Sequence, residues 1–366
     1  MKNYAYFIFI FVVVITIFSL LVKDVQKLRT QTLVLKNEIY GQDIYRSQLI
    51  DLYFIAASLY YNFEDSSVVN DGTKNVLYDE VIEFYSRHSE HNFIKNLHKY
   101  LDTYNSDIDS NFLMALVRYL LFDCTKESPF NKIVLEEFVA DISEFYSDTN
   151  SHNFFENSYQ HYNSLDNFIN NIDFGLLDNL ISEIDIYLER KDFSENQQYT
   201  IVFSLFRPYM ASFYNSNDNY IAILSPYGID RDFEYNENQI IKTLVHEILH
   251  CYINEHVHKY EDYILQNVEM FNWHKSEFNT RAPYANMDWH RIFDENLVRA
   301  VQAKIYYTFF KSEDAIDYIL RDEYEIGGFK KAYDFYDSLD AYEISRNIYD
   351  GIKEYIPQII NKVFER

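Results

Sequence analysis

The stretch Val245-His246-Glu247-Ile248-Leu249-His250 carries the pattern His-Glu-x-x-His inside a segment that predicts a helix. From Gln239 to Tyr252 there is neither Pro nor Gly, and apolar residues recur at the spacing of one buried helical stripe. On such a helix His246 and His250 lie one turn apart on the same side, where two imidazoles can bind one zinc ion. Glu247 lies beside them and can act as general base toward a zinc-activated water. The stretch therefore predicts a zinc site on a buried helix.

A catalytic zinc site needs a third protein ligand, and His256 is one candidate. Its spacing from His250 is that of the metzincin proteases, in which a glycine three residues after the second histidine breaks the helix. Ile253 stands at that position in this chain. We therefore expect the helix to continue and to turn His256 about 240° away from His250.

Glu295 is the candidate that we favour as third ligand. It lies in Trp289 to Phe310, a second segment without Pro or Gly that predicts a long buried helix. Asp294 is the substitute if that helix turns its other face to the metal. Arg299, four residues after Glu295, is placed either to pair with it along the helix and fix its orientation or to form an ordinary surface pair.

These residues resemble the gluzincin branch of zinc metallopeptidases, in which a glutamate from a second helix completes the site. The form Glu295-Asn296-x-Val298-Arg299-Ala300 also resembles an uncharacterised bacterial family of exported HExxH proteins. The resemblance covers about residues 195–310. It implies a zincin-like α+β catalytic region, a bound Zn²⁺ ion, hydrolysis of peptide bonds, and a peptide or protein as substrate.

The N-terminal segment predicts an attachment to the membrane. Tyr4 to Val22 has no charged residue, is close to the length that spans a bilayer, and is not followed by a small-residue cleavage site. We therefore expect residues 1–22 to be an uncleaved signal-anchor or transmembrane helix, and residues 23–50 to be a polar helical stalk. The body of the chain would be extracytoplasmic and membrane-anchored, or secreted if the segment is cleaved.

Composition favours a mainly helical body. The chain has 7 Gly and 5 Pro among 366 residues, which is typical of long helices joined by short turns. Residues 51–194 and 311–366 predict helices, whereas the β-branched and aromatic runs at 199–206 and 219–225 predict strands before the zinc helix. The expected fold is mainly α with a small antiparallel β-sheet. A net charge of −25 argues against nucleic acid as a partner.

Two functions remain open at this level. The first is a zinc-dependent metallopeptidase at the cell surface, with Glu247 as general base and with His274, Tyr284 or His290 stabilising the oxyanion. The alternative is a non-catalytic, membrane-tethered helical surface or scaffold protein with a relic or structural HExxH site. Cys124 and Cys251 show no local sign of pairing, and we expect two buried thiols.

Overall fold

The structure is a computed structural model that describes residues 33–35, 42–61, 76–101, 111–122, 130, 132–189, 198–206, 211–216, 219–224, 236–271, 288–349 and 351–365. These residues are mainly helical, as predicted. The strands are β1 (Leu33–Leu35), β2 (Gln42–Arg46), β3 (Gln198–Phe203), β4 (Ala211–Ser216) and β5 (Asn219–Leu224). The helices are α1 (Gln48–Tyr60), α2 (Val76–Tyr85), α3 (Asn92–Asn96), α4 (His98–Leu101), α5 (Asn111–Phe122), α6 (Lys132–Asp148), α7 (Ser151–Asn157), α8 (Tyr159–Asn171), α9 (Phe174–Tyr187), α10 (Glu237–His258), α11 (Glu261–Phe271), α12 (Trp289–Phe310), α13 (Asp314–Asp322), α14 (Ala332–Ser345) and α15 (Ile352–Phe364).

The sheet is larger than predicted and is not antiparallel throughout. Its strand order is β1-β2-β3-β5-β4. β1 runs antiparallel to β2, but β2 and β3 are parallel, with Ile44 opposite Ile201. The prediction of a small antiparallel sheet is therefore wrong for this central pair. A parallel pair needs a long crossover between its strands, and here the whole helical segment α1 to α9 separates β2 from β3.

The predicted N-terminal anchor, residues 1–22, lies outside the described residues. Among the residues that the structure does describe, no helix combines the length and the apolar character needed to cross a bilayer. The predicted helical stalk, residues 23–50, is wrong where the structure describes it. Leu33–Leu35 and Gln42–Arg46 are strands of the sheet, and Gln48 already begins α1.

The chain divides into two compact units. Unit 1 comprises Met1–Ile172, Tyr199–Ser212 and Ile221–Asn236, and unit 2 comprises Asp173–Gln198, Phe213–Tyr220 and Glu237–Arg366. The predicted boundaries at 194 and 310 do not coincide with these units. In particular, the predicted C-terminal helices 311–366 belong to the same unit as the HExxH helix, because α13 and α14 pack directly on α12.

In unit 1, α1 is enclosed by the rest of the unit. Ser47 caps its N-terminus by accepting a hydrogen bond from the Ile50 amide at 3.4 Å. From Leu49 to Leu59 every residue is buried, the pattern of a helix that is surrounded on all sides. The aromatic content of the chain is used in this core: the Phe138 ring lies edge-to-face against Tyr100 and Phe112, with centroids 4.8 and 5.0 Å apart.

In unit 2, α12 occupies the corresponding central position. It packs against α10, α13, α14 and α9, and Ile292 to Tyr306 is buried apart from the half-buried Glu295. Its alignment with α10 is fixed by a buried hydrogen bond, in which Gln302 Nε2 donates to the Lys242 carbonyl at 2.7 Å. Glu295 and Gln302 are seven residues apart, which places them on the same face of α12. That face carries Glu295 toward the HExxH motif on α10.

Candidate metal centre

The HExxH motif lies on one uninterrupted helix. α10 runs from Glu237 to His258, and the apolar residues that surround the motif, among them Val245, Ile248 and Leu249, are buried. Their burial holds the helix in place, while the polar side chains of His246, Glu247 and His250 are half-buried. The prediction of a helix at the motif is confirmed, and the four-residue spacing of the two histidines on that helix places them on one side.

Three side chains converge from α10 and α12. The Nε2 atoms of His246 and His250 lie 3.0 Å apart. Glu295 offers one carboxylate oxygen to each of them, with Oε2 3.6 Å from His246 Nε2 and Oε1 3.5 Å from His250 Nε2. Ligand atoms of all three residues lie within 4.8 Å of one another. The structure thus brings together the three residues that the sequence predicted as metal ligands.

The spacing of these atoms suits a single small ion. Ligands about 2.1 Å from a tetrahedral zinc stand about 3.4 Å from each other. The observed separations of 3.0, 3.5 and 3.6 Å lie on both sides of that value. Two imidazole nitrogens and one carboxylate oxygen are also the donor set of a catalytic zinc site with an open fourth position. Geometry and donor chemistry therefore fit Zn²⁺.

The outer nitrogen of His250 is held by two further side chains. Its Nδ1 lies 2.8 Å from Asn254 Oδ1 and 3.6 Å from Asp294 Oδ2. An Nδ1–H group that donates to Asn254 leaves the lone pair of Nε2 facing the cluster, which is the orientation that a metal-binding histidine needs. Asp294, the predicted substitute ligand, therefore lies behind His250 rather than in the cluster.

The charges around the two histidines differ sharply. Burial alone would lower the pKa of His250, but the Glu295, Asp294 and Glu247 carboxylates outweigh it and raise that pKa to about 10. Burial lowers the pKa of His246 to about 4, and the Arg299 charge adds to this effect. His246 is therefore a neutral imidazole that can bind a metal, whereas the carboxylates around His250 stabilise a positive charge at that position. A divalent cation would supply that charge and displace the proton.

Glu295 is oriented by Arg299, which is the first of the two possibilities that the sequence left open. The Arg299 Nη1 group pairs with Glu295 Oε2 and also donates to the Glu295 carbonyl at 2.9 Å. Burial opposes ionisation of Glu295, but Arg299 and His250 hold the pKa of its carboxyl well below the usual range. Glu295 is therefore an anion, which is the form that binds a metal.

Glu323 is the residue of this network that the sequence did not reveal. Arg299 Nε donates to Glu323 Oε2 at 2.9 Å, and the guanidinium carbon lies 3.7 Å from the centroid of the Phe329 ring. Glu323 begins a π-helical turn, Glu323–Gly327. A Cβ at Gly327 would approach Glu323 Oε2 to 2.8 Å, so the glycine makes room for this carboxylate. No local motif marks Glu323, which lies 24 positions after Arg299.

The remaining predicted residues take other places. α10 continues through Ile253, and His256 does not belong to the metal-binding cluster, in agreement with the prediction. His274 and Tyr284, two of the three oxyanion candidates, lie outside the described residues, as does Cys124. His290 lies 3.4 Å from Glu261 in a different cluster, and Cys251 is a half-buried thiol on α10.

Comparison with known proteins identifies the family of the chain, but the family description names no activity or ligand. Residues 125–362 match the family described as "Domain of unknown function (DUF4932)", and this span includes α10, α12 and the π-helical turn. No curated protein and no solved structure matches the chain. Because the match covers more than half of its length and the whole candidate metal centre, the chain belongs to the DUF4932 family.

Proposed function

We propose that this protein is a zinc-dependent peptidase that hydrolyses peptide bonds in a peptide or protein substrate. The observation that carries the proposal is the convergence of His246, His250 and Glu295, within 4.8 Å, next to Glu247, the residue that follows His246 on α10. A site built only for structure would complete its coordination with protein atoms. Among the described residues, these three form the ligand set at this position.

The side chains of two of the three ligand residues are held in fixed orientations by outer partners. Asn254 and Asp294 hold the outer nitrogen of His250, and Arg299 holds the carboxylate of Glu295. Such outer partners fix the direction of the ligand atoms, so little reorganisation is needed when the ion binds. The ion, when bound, would supply Lewis acidity toward a substrate carbonyl and toward a water molecule.

Glu247 is the proposed general base. It follows His246 directly, so its side chain leaves the helix about 100° around from that ligand and is not one of the converging atoms. Its carboxylate is nevertheless close enough to contribute to the raised pKa of His250. In the proposed reaction Glu247 accepts a proton from the attacking water and delivers it to the amine nitrogen that leaves.

The test separates metal binding from catalysis. Glu247→Gln should keep the zinc content of the wild-type chain but lose about 10²–10⁴-fold in hydrolysis, because the amide cannot accept the proton. Zinc content would be measured by elemental analysis, and hydrolysis with a mixture of fluorogenic peptides of varied sequence. Glu255→Gln, at an exposed glutamate two turns further along α10, is the matched control and should change neither quantity.

The outcomes distinguish the proposed enzyme from the scaffold alternative. Hydrolysis by the wild-type chain that survives Glu247→Gln would remove Glu247 as base and leave a contaminating activity as the explanation. Stoichiometric zinc without hydrolysis of any peptide in the mixture would favour the non-catalytic scaffold protein.

A further inference from the structure

A second group of potential ligands lies at the junction of α10, α11 and α12. His258 is the last residue of α10, Glu261 is the first of α11, and His290 is the second of α12. Ligand atoms of these three residues lie within 4.8 Å of one another. We call them the junction cluster. None of them belongs to the metal centre described above.

One carboxylate serves both imidazoles of the junction cluster. Glu261 Oε2 lies 3.2 Å from His258 Nδ1, and Glu261 Oε1 lies 3.4 Å from His290 Nδ1. The two rings are 5.8 Å apart between centroids. Each of the two nitrogen–oxygen distances is close to the separation of about 3.4 Å between two ligands of one tetrahedral zinc. The donor set, two imidazoles and one carboxylate, is the same as in the first site.

The surroundings of the cluster differ from those of the first site. The side chains of His258, Glu261 and His290 are 72%, 36% and 20% exposed, so water has access to the cluster. An ion bound here would complete its coordination with water and would bind more weakly than at the enclosed site. Zinc and other divalent ions that accept imidazole ligands fit this donor set, whereas Mg²⁺ and Ca²⁺ prefer oxygen.

The two clusters are too far apart to form a two-metal catalytic site. His250 and His258 are eight residues apart on α10, which corresponds to about 12 Å along the helix axis. The ions of two-metal catalytic sites are about 3.5–4 Å apart. An ion at the junction cluster would therefore act on the helices rather than on a substrate bound at the first site.

We propose that the junction cluster is a second divalent-metal site that joins the end of α10 to the beginnings of α11 and α12. α10 and α12 are the two helices that carry His246, His250 and Glu295. A metal bond between their ends restrains the helix pair on which the first site is built. The site takes one zinc-class ion through His258, Glu261 and His290, with water in the remaining positions.

The experiment isolates the junction cluster by removing the first site. The full chain with His246→Ala and His250→Ala is freed of metal with a chelator and titrated with Zn²⁺ by calorimetry. It should bind about one zinc ion, and the ion should raise its thermal unfolding midpoint, because it binds the folded chain preferentially. Adding His258→Ala or His290→Ala to this background should weaken zinc binding at least about tenfold, since loss of even an outer-shell partner has that effect.

His152→Ala, in the same background, is the control for loss of an exposed histidine that belongs to neither cluster, and it should leave the affinity unchanged. The proposal is overturned if the background variant binds no zinc, or if neither His258→Ala nor His290→Ala changes the affinity. Zinc binding by the wild-type chain distinguishes failure of the junction cluster from failure of the first site. If wild type and background bind the same single ion, and His258→Ala weakens it, the first site fails and the junction cluster stands.

Discussion

At the scale of single residues, the centre on α10 and α12 is acidic, with several carboxylates around two imidazoles and one guanidinium. Glu295, Asp294 and Glu247 act together on His250, and Arg299 is shared between Glu295 and Glu323. His246→Ala removes one donor from this set. We expect the variant to lose the zinc ion of this site, because the remaining imidazole and carboxylate are too few to hold it. Elemental analysis of the purified full chain, after dialysis against a weak chelator, measures the loss.

The junction cluster complicates that measurement, and the control takes it into account. His258→Ala removes a histidine of the same helix from the other cluster, so it should leave the ion of the first site in place. Zinc that remains bound with unchanged affinity in His246→Ala combined with His258→Ala would refute the first site.

Glu323 makes a second prediction possible at this scale. Glu323→Gln keeps the size of the side chain but removes one of the two carboxylates that Arg299 contacts. We expect zinc affinity to fall about 10–100-fold, as for other outer-shell partners, because Arg299 is then free to shift relative to Glu295. Competition with a chromophoric chelator measures the affinity. Glu325→Gln, at an exposed glutamate of the same π-helical turn, should have no effect.

The site residues that could be predicted belong to local sequence patterns, whereas the others reach the site only through tertiary packing. His246, Glu247 and His250 share one helical turn, so their spacing alone indicates their arrangement. Glu295 could be proposed because its own segment is helical, yet only the packing of α12 on α10 brings it to the histidines. Glu323 has no motif of its own. It reaches the site through Arg299 and the π-helical turn, which the sequence does not indicate.

At the scale of elements, the continuity of α10 decides between the two candidate third ligands. Ile253 is buried and helical, so the chain does not turn back at the position where a metzincin does. We expect His256→Ala to leave zinc affinity unchanged, and Glu295→Gln to lower it, because a neutral amide oxygen is a poorer ligand than a carboxylate. The same chelator competition measures both. Zinc lost from His256→Ala but kept in Glu295→Gln would mean that α10 breaks near Ile253 when metal binds.

The helices were more predictable than the sheet for a physical reason. α12 spans Trp289–Phe310, the limits that the sequence predicted, because a long run without Pro or Gly and with a buried face is a local signal. Inside the predicted helical segment 51–194, by contrast, α2 ends at Tyr85 and a 3₁₀ turn follows at Ser86–His88. The parallel pairing of β2 with β3 joins residues that are far apart in the chain. β2 is only five residues long and lies in a polar segment, so its sequence did not indicate this pairing.

At the scale of the whole molecule, each unit has a polar network built on its central helix. In unit 2 it is the candidate metal centre. In unit 1 it surrounds Asp51 of α1, whose Oδ1 accepts hydrogen bonds from Ser204 Oγ at 2.6 Å and from the Leu205 amide at 3.0 Å. Asp51 Oδ2 accepts a third from the Tyr162 hydroxyl at 2.6 Å. The network joins α1 to α8 and to the end of β3, so its protonation state bears on the stability of unit 1.

Asp51 gives the chain a pH-dependent stability whose sign can be worked out. Burial raises the pKa of its carboxyl from 3.8 to about 6, although the Ser204 and Tyr162 hydrogen bonds oppose that rise. Between about pH 4 and pH 6 the unfolded chain therefore releases this proton while the folded chain keeps it. The contribution is fully present below pH 4 and is lost as the pH rises through 6. By linkage, the loss amounts to about 3 kcal/mol in the free energy of unfolding.

Asp51→Asn removes the titrating group and keeps its shape, so the difference in unfolding free energy between variant and wild type should change by about 3 kcal/mol between pH 4 and pH 6. Urea unfolding followed by circular dichroism at pH 4, 5, 6 and 7 measures the change. Asp79→Asn, at an exposed aspartate of α2, is the control for loss of one carboxylate outside the buried network. If the Asp51→Asn and wild-type curves ran parallel, Asp51 would have the same proton affinity in the folded and unfolded chain. Its three hydrogen bonds would then stabilise the carboxylate enough to cancel the cost of burying it.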